Sequence, residues 1–207
     1  MSEPKGRASE INRVFPWLLH FTIIDERLGD FRGDAYAIKS SDGLVAIDPV
    51  RLEDDLTHEV KETKYVVLSA GGHQRSTWRY RNEFGAVVYA PKGSEGLDEE
   101  PDHWYGDGDD LPAGLKTIPG DWFKKTFHLI YTHTDETKVL FCGDLITHWD
   151  DGIYRFPIRK GKQPSENARE EIRRLMNLSA DALCPGHANP TPDGCQAALQ
   201  SALDYEY

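Results

Sequence analysis

Two short stretches decide how this chain is read: Phe141-Cys142-Gly143-Asp144 and Leu183-Cys184-Pro185-Gly186-His187. Each runs an apolar strand into a glycine turn. The turns deliver a carboxylate at Asp144 and an imidazole at His187, both good metal ligands. A third stretch, Leu68-Ser69-Ala70-Gly71-Gly72-His73-Gln74-Arg75, also breaks an apolar strand with glycines, but His73 is its one ligand of that kind.

Working outward, residues 17–24 form an apolar, β-rich run. Residues 35–39 and 44–47 flank Ser40-Ser41-Asp42-Gly43 and predict a hairpin that ends at Asp48-Pro49. Residues 65–69 are apolar and short, as a strand buried on both faces should be. A helix is expected from about Gln74 to Phe84, closed by Gly85, and a strand over 86–89 stops at Pro91. Strands are predicted at 115–118, 126–131 and 138–142. Ser165 is a good N-cap for a helix running to about Asn177. Residues 182–184 read as a strand, and a last helix should begin near Asp193. Strands followed by helices, twice over, suggest two packed sheets with helices outside. Residues 1–12 read as a flexible leader and 13–207 as a single domain.

The composition is that of a soluble globular chain, with 39% hydrophobic and 29% charged residues. A net charge of −11 argues against nucleic-acid and anionic-membrane partners, which call for basic surface. No apolar run reaches the length of a membrane span, and the polar start does not read as a signal peptide. The three cysteines form no CxxC pair and no disulfide framework, which suits a reducing cytoplasm. The acids concentrated between Glu95 and Asp110 read as a solvated loop. GxSxG, P-loop and GxGxxG patterns are missing.

In order and spacing, the hairpin with its AspPro, the strand-Ser-turn-helix-PheGly, the Pro119-Gly120-Asp121 turn, PheCysGlyAsp and ProGlyHis resemble the metallo-β-lactamase superfamily over roughly residues 17–203. Asp107-Gly108-Asp109-Asp110-Leu111 with Gly114-Leu115 is similar to the segment leading into that family's second metal-ligand loop. The resemblance implies an α/β (α+β) fold, a four-layer αββα sandwich. In the family a THxHxDH motif supplies most ligands for one or two metals, and a ProGlyHis, a GlyAsp and a final ProGlyHis complete the site. Laid on this chain the first motif fails: Ser69, Ala70, Gly72, Gln74 and Arg75 stand for its Thr, His, His, Asp and last His. Shifting by one residue brings His73 into the second His place. The second motif has Asp121 for its His, while Asp144 and His187 match.

Two functions follow from that remnant. In the first, the metal site is degenerate, dinuclear hydrolase activity is lost, and the residual cleft binds a small molecule or a protein partner. In the second, Asp144 and His187, with Asp121 or His73, hold one zinc, manganese or iron ion for the hydrolysis of an ester, thioester or phosphoester. Asp144 is then the candidate catalytic residue, and Arg75 a candidate for binding a substrate anion. Plainer readings stand beside these. Asp144 caps a turn, Asp121 is a loop carboxylate, His73 is a helix N-terminal residue, and Cys142 and Cys184 are small buried side chains. His103-Trp104-Tyr105 reads as aromatic packing, and His148-Trp149-Asp150-Asp151 follows the GlyAsp strand into what in the family is often pocket wall.

Overall fold

Strands that are apolar on both faces need cover on both, and the chain provides it in four layers. The structure is a computed structural model that describes residues 3–29, 31–122, 125–149, 151–158 and 162–207. Met1 and Ser2 of the expected leader, and Asp150, lie outside the described residues.

The first sheet has seven strands in sequence order: β1 (Asn12–Phe15), β2 (Leu18–Asp25), β3 (Phe31–Ser40), β4 (Gly43–Ile47), β5 (Thr63–Val67), β6 (Val87–Pro91) and β7 (His103–Tyr105). The second comprises β8 (Lys116–Pro119), β9 (Phe127–Thr132), β10 (Lys138–Gly143) and β11 (Ala182–Pro185), in the order β11-β10-β9-β8. Helix α1 (Thr77–Phe84) covers the outer face of the first sheet; α2 (Glu166–Met176) and α3 (Cys195–Asp204) cover that of the second.

The period-2 alternation of strand side chains sorts residues between layers. Phe21, Ala37, Ala46 and Leu68 pack with Trp78 and Tyr80 of α1. Their strand neighbours Tyr36, Ile38, Val45 and Ile47 meet Leu129, Tyr131, Val139 and Phe141 between the sheets. Leu140 and Leu183 pack with Ile172 and Leu175 of α2 and Leu199 of α3. Each of the fully buried Leu, Ile and Phe side chains contributes about 1.5–3 kcal/mol of burial. Local signals end the helices as read: Gly85 closes α1 in the left-handed conformation (φ 72°), and Ser165 Oγ accepts from Ala168 N–H at 3.2 Å.

Three features differ from the sequence reading. Residues 12–15 form the edge strand β1, and residues 103–105, within the acidic stretch, form β7. Tyr105 anchors β7, because its ring is buried and its hydroxyl donates to Leu68 O at 2.5 Å. The described part of the expected leader lies against the first sheet. Ala8 is buried, its N–H donates to Arg51 O at 2.8 Å, and its carbonyl accepts from Glu53 N–H at 2.9 Å. Among the described residues no helix is long and apolar enough to cross a membrane.

The topology positions the site. Strands β4 and β5 run parallel, as do β10 and β11. Parallel neighbours end on the same edge, so the turns carrying Asp48, Ser69–His73, Asp144 and His187 gather there.

Candidate metal centre

His73 closes a one-turn 3-10 helix, Gly71–His73, directly after β5 and its flanking Leu68-Ser69-Ala70. Asp144 follows Gly143, whose positive φ (53°) turns the chain sharply at the end of β10. His187 follows the Pro185-Gly186 turn at the end of β11. Gly186 is needed for the approach, because a Cβ there would lie 3.1 Å from Gly143 O and 3.3 Å from His73 Cε1.

Three side chains from these turns converge on one point. Nε2 of His73 lies 2.9 Å, and Nε2 of His187 2.8 Å, from the same oxygen, Asp144 Oδ1. All three ligand atoms lie within 4.8 Å of one another. Both imidazoles are buried, whereas the Asp144 side chain keeps 31% of its surface exposed and is the open side of the cluster.

The far nitrogens of both rings are occupied. His73 Nδ1 is 2.8 Å from Asp48 Oδ2, and the Asp48 carboxylate also accepts from Ser69 N–H (2.7 Å) and Ser69 Oγ (2.5 Å). His187 Nδ1 bonds the carbonyl of Arg32. A carbonyl or carboxylate oxygen only accepts, so each Nδ1 carries a proton, and each Nε2 faces the single oxygen Asp144 Oδ1. Metal-bound histidines are held in just this way, by a carboxylate or carbonyl on the other ring nitrogen.

Electrostatics agree. Burial disfavours charge on His73, but the carboxylates of Asp144 and Asp48 outweigh it and hold the imidazole pKa up at about 10. Burial would likewise raise Asp144, yet His73 and His187 keep it well below the usual carboxylate range. The cluster is therefore built around positive charge: protons on the imidazoles, or a cation among the three ligand atoms.

The other sequence candidates lie elsewhere. Asp121, expected as a possible ligand, points away from the cluster: its carboxylate pairs with Arg174 at 3.1 Å and is largely exposed. The reason is backbone pinning, since Glu171 Oε2 accepts from the N–H groups of Asp121 (2.8 Å) and Trp122 (2.7 Å). The other oxygen of Glu171 meets buried His128 at 2.5 Å. Arg75, expected to reach a substrate, is buried and turned inward onto backbone carbonyls. Gln74 ties down the acidic segment, donating to Gly96 O and accepting from Asp98 N–H and Trp78 Nε1–H. Sequence reasoning missed Asp48, which there marks only the end of a strand. Its contact with His73 spans 25 residues and has no local signal.

No family model and no curated protein matches the chain. Solved structures do. The chain is similar to DIM-1 metallo-β-lactamase exposed to ceftazidime, at TM-score 0.71 and 16% identity, covering 97% of this chain and 96% of that one. The fold is the metallo-β-lactamase fold. A metallo-β-lactamase from Cronobacter sakazakii (Enterobacter sakazakii) with a HARLDQ motif aligns at TM-score 0.59 and 14% identity, over 87% of this chain and 79% of that one. A flavo di-iron protein variant from Thermotoga maritima aligns at TM-score 0.67 and 18% identity; 96% of this chain matches 61% of that longer one. At such identities the likeness concerns the fold. Within that fold, among the described residues, this chain brings His73 together with Asp144 and His187.

Proposed function

We propose that the protein lacks a dinuclear centre and holds one divalent cation (zinc, manganese or iron) on His73, Asp144 and His187, as a mononuclear hydrolase of an ester, thioester or phosphoester. One observation carries this reading: two Nε2 atoms and one carboxylate oxygen lie within 4.8 Å of one another, with both Nδ1 atoms already committed behind them. Two imidazoles and a carboxylate suit all three metals. When bound, such an ion polarises a carbonyl or phosphoryl oxygen and lowers the pKa of a coordinated water.

The chain's own residues do the rest. Asp48 and the Arg32 carbonyl fix the ring orientations and keep the Nε2 atoms free of protons once a cation replaces them. Asp144 is the exposed member, so substrate approaches from its side. The ring of Phe31, 4.9 Å from that of His187, gives this edge an apolar flank. Ala70 and Gly72 offer no donor for a second ion.

That same loss of ligands favours a second reading, a cleft that binds a small molecule or a protein partner without turnover. Elemental analysis and zinc titration of the wild type, Asp144→Ala, His187→Ala and Asp121→Ala, followed by a panel of ester, thioester and phosphoester substrates, decide between them. The expected result is one ion per chain, kept in Asp121→Ala and lost in the other two variants, with turnover that follows the metal. A wild type with no stoichiometric metal sinks the hydrolase reading. Metal without turnover on any substrate leaves the binding-cleft reading.

A further inference from the structure

Arg75 stands where the family motif has its last histidine, and its side chain occupies an unusual place for an arginine. It is 2% exposed, and its backbone φ of 33° is one that side-chain-bearing residues rarely adopt. Nη1 donates to Asp34 O at 2.5 Å and to Asp48 O at 3.2 Å, and Nη2 donates to Gly186 O at 3.3 Å. The guanidinium lies against Gly33, where a Cβ would sit 3.4 Å from its Cζ and Nη2.

These three carbonyls come from separate parts of the fold. Asp34 is in β3, Asp48 follows β4, and Gly186 belongs to the turn after β11 in the other sheet. Two of them belong to supports of the candidate centre. Asp48 carries the carboxylate that holds His73 Nδ1, and Gly186 directly precedes His187. A buried cation that gathers carbonyl oxygens from distant segments acts as a structural metal ion does. A planar guanidinium can do so permanently, because it does not lose its proton and its donors form a rigid fork.

We propose that the guanidinium of Arg75 is a resident cation that takes over the structural part of a second metal ion, cross-linking β3, the end of β4 and the turn after β11 so that His73 and His187 face Asp144 together. Arg75 is thus a positioning residue that acts on His73 through Asp48 and on His187 through Gly186. The effect on metal rests on the single-ion reading above; the cross-link itself does not.

Two kinds of measurement test this on the full chain. Nitrogen-15 NMR of the wild type should show resolved Arg75 Nη protons that exchange slowly at neutral pH. Averaged, fast-exchanging Nη protons overturn the proposal whatever the metal does. Arg75→Lys and Arg75→Met, titrated with zinc, should lose affinity by roughly 10–100-fold, as changes to supports of metal ligands do. Their His73 and His187 ring-nitrogen shifts should move away from the wild-type values. A folded variant with unchanged zinc affinity and unchanged ring-nitrogen shifts overturns the proposal. Arg75→Lys, which keeps a charge but not the fork, decides if Arg75→Met fails to fold, and the wild-type NMR decides if both fail. A wild type that takes up no zinc refutes the single-ion reading alone and leaves the NMR result to judge Arg75.

Discussion

Replacing Asp48 by asparagine tests the protonation argument at its root. The native carboxylate accepts three hydrogen bonds: Ser69 N–H at 2.7 Å on Oδ1, and Ser69 Oγ–H at 2.5 Å and His73 Nδ1–H at 2.8 Å on Oδ2. An amide has one accepting oxygen. If that oxygen keeps the backbone N–H of Ser69, the NH2 group faces His73 Nδ1 and donates to it. The ring then gives up its Nδ1 proton and keeps the one on Nε2, the atom that faces Asp144. The opposite amide flip sets the NH2 group against the Ser69 N–H, donor against donor. Either way the site loses the carboxylate support behind His73. Loss of such a support lowers metal affinity by roughly 10–100-fold, or about 1.4–2.7 kcal/mol. Exchanging charge-assisted hydrogen bonds for neutral or unmade ones in a buried site costs about 2–3 kcal/mol of fold stability, a fall in Tm of about 4–12 °C. Isothermal titration with zinc gives the affinity, nitrogen-15 correlation spectra of the ring give the tautomer, and calorimetry gives Tm. An Asp48→Asn protein that binds zinc within twofold of wild type, with His73 still protonated on Nδ1, would refute the reasoning.

Gly186→Ala should lower Tm and weaken zinc binding, because its methyl would lie 3.1 Å from Gly143 O and 3.3 Å from His73 Cε1, whereas Gly72→Ala meets open space and should leave both unchanged in paired titration and melting experiments. Burial pushes the thiols of Cys142 and Cys184 well above their ordinary range and Cys195 up to about 12, so a disulfide reagent should label none of them in the native protein and all three after unfolding. Burial alone would raise Asp34, but hydrogen bonds from His20 and Arg32 outweigh it and hold the carboxyl below its ordinary value. Its stabilising contribution is therefore complete above the unfolded carboxyl pKa of about 3.9 and disappears as pH falls through the lower folded value, so urea melts of Asp34→Asn should show a shallower loss of stability below about pH 4 than wild type.

The fold is legible where strands advertise themselves. Strands β4, β5, β10 and β11 are short apolar runs read from the AspPro, Ser, GlyAsp or ProGly that follows them, and each is found within two residues of its expected bounds. Strand β1 is mostly exposed and β7 is three residues long inside an acidic stretch, so neither carries a burial pattern. The centre is legible to the same degree. Asp144 and His187 stand directly after strand ends, where topology alone delivers them to a common edge. Asp121 has the same local look, and only the pull of Glu171, 50 residues away, turns it outward. The direction of Arg75 is hidden for the same reason, since it depends on carbonyls in three remote segments and on a positive φ that no sequence pattern demands.

The edge where these strands end collects negative charge, and the way each carboxylate is neutralised tells the carboxylates apart. Three carboxylates gather there, and each is met by two cationic or imidazole groups. Asp34 has Arg32 and His20, Asp48 has His73 with the charge of Arg75 nearby, and Asp144 has His73 and His187. Arginine is permanently charged, so the first two carboxylates have a resident partner at every pH. Asp144 has imidazoles alone. Asp34 and Asp48 are buried, while the Asp144 side chain is 31% exposed. An exchangeable cation needs a carboxylate that solvent can reach and partners that can give up their protons to make way for it. Of the three, only Asp144 meets both conditions, which favours it over Asp34 and Asp48 as the carboxylate of the proposed single-ion site.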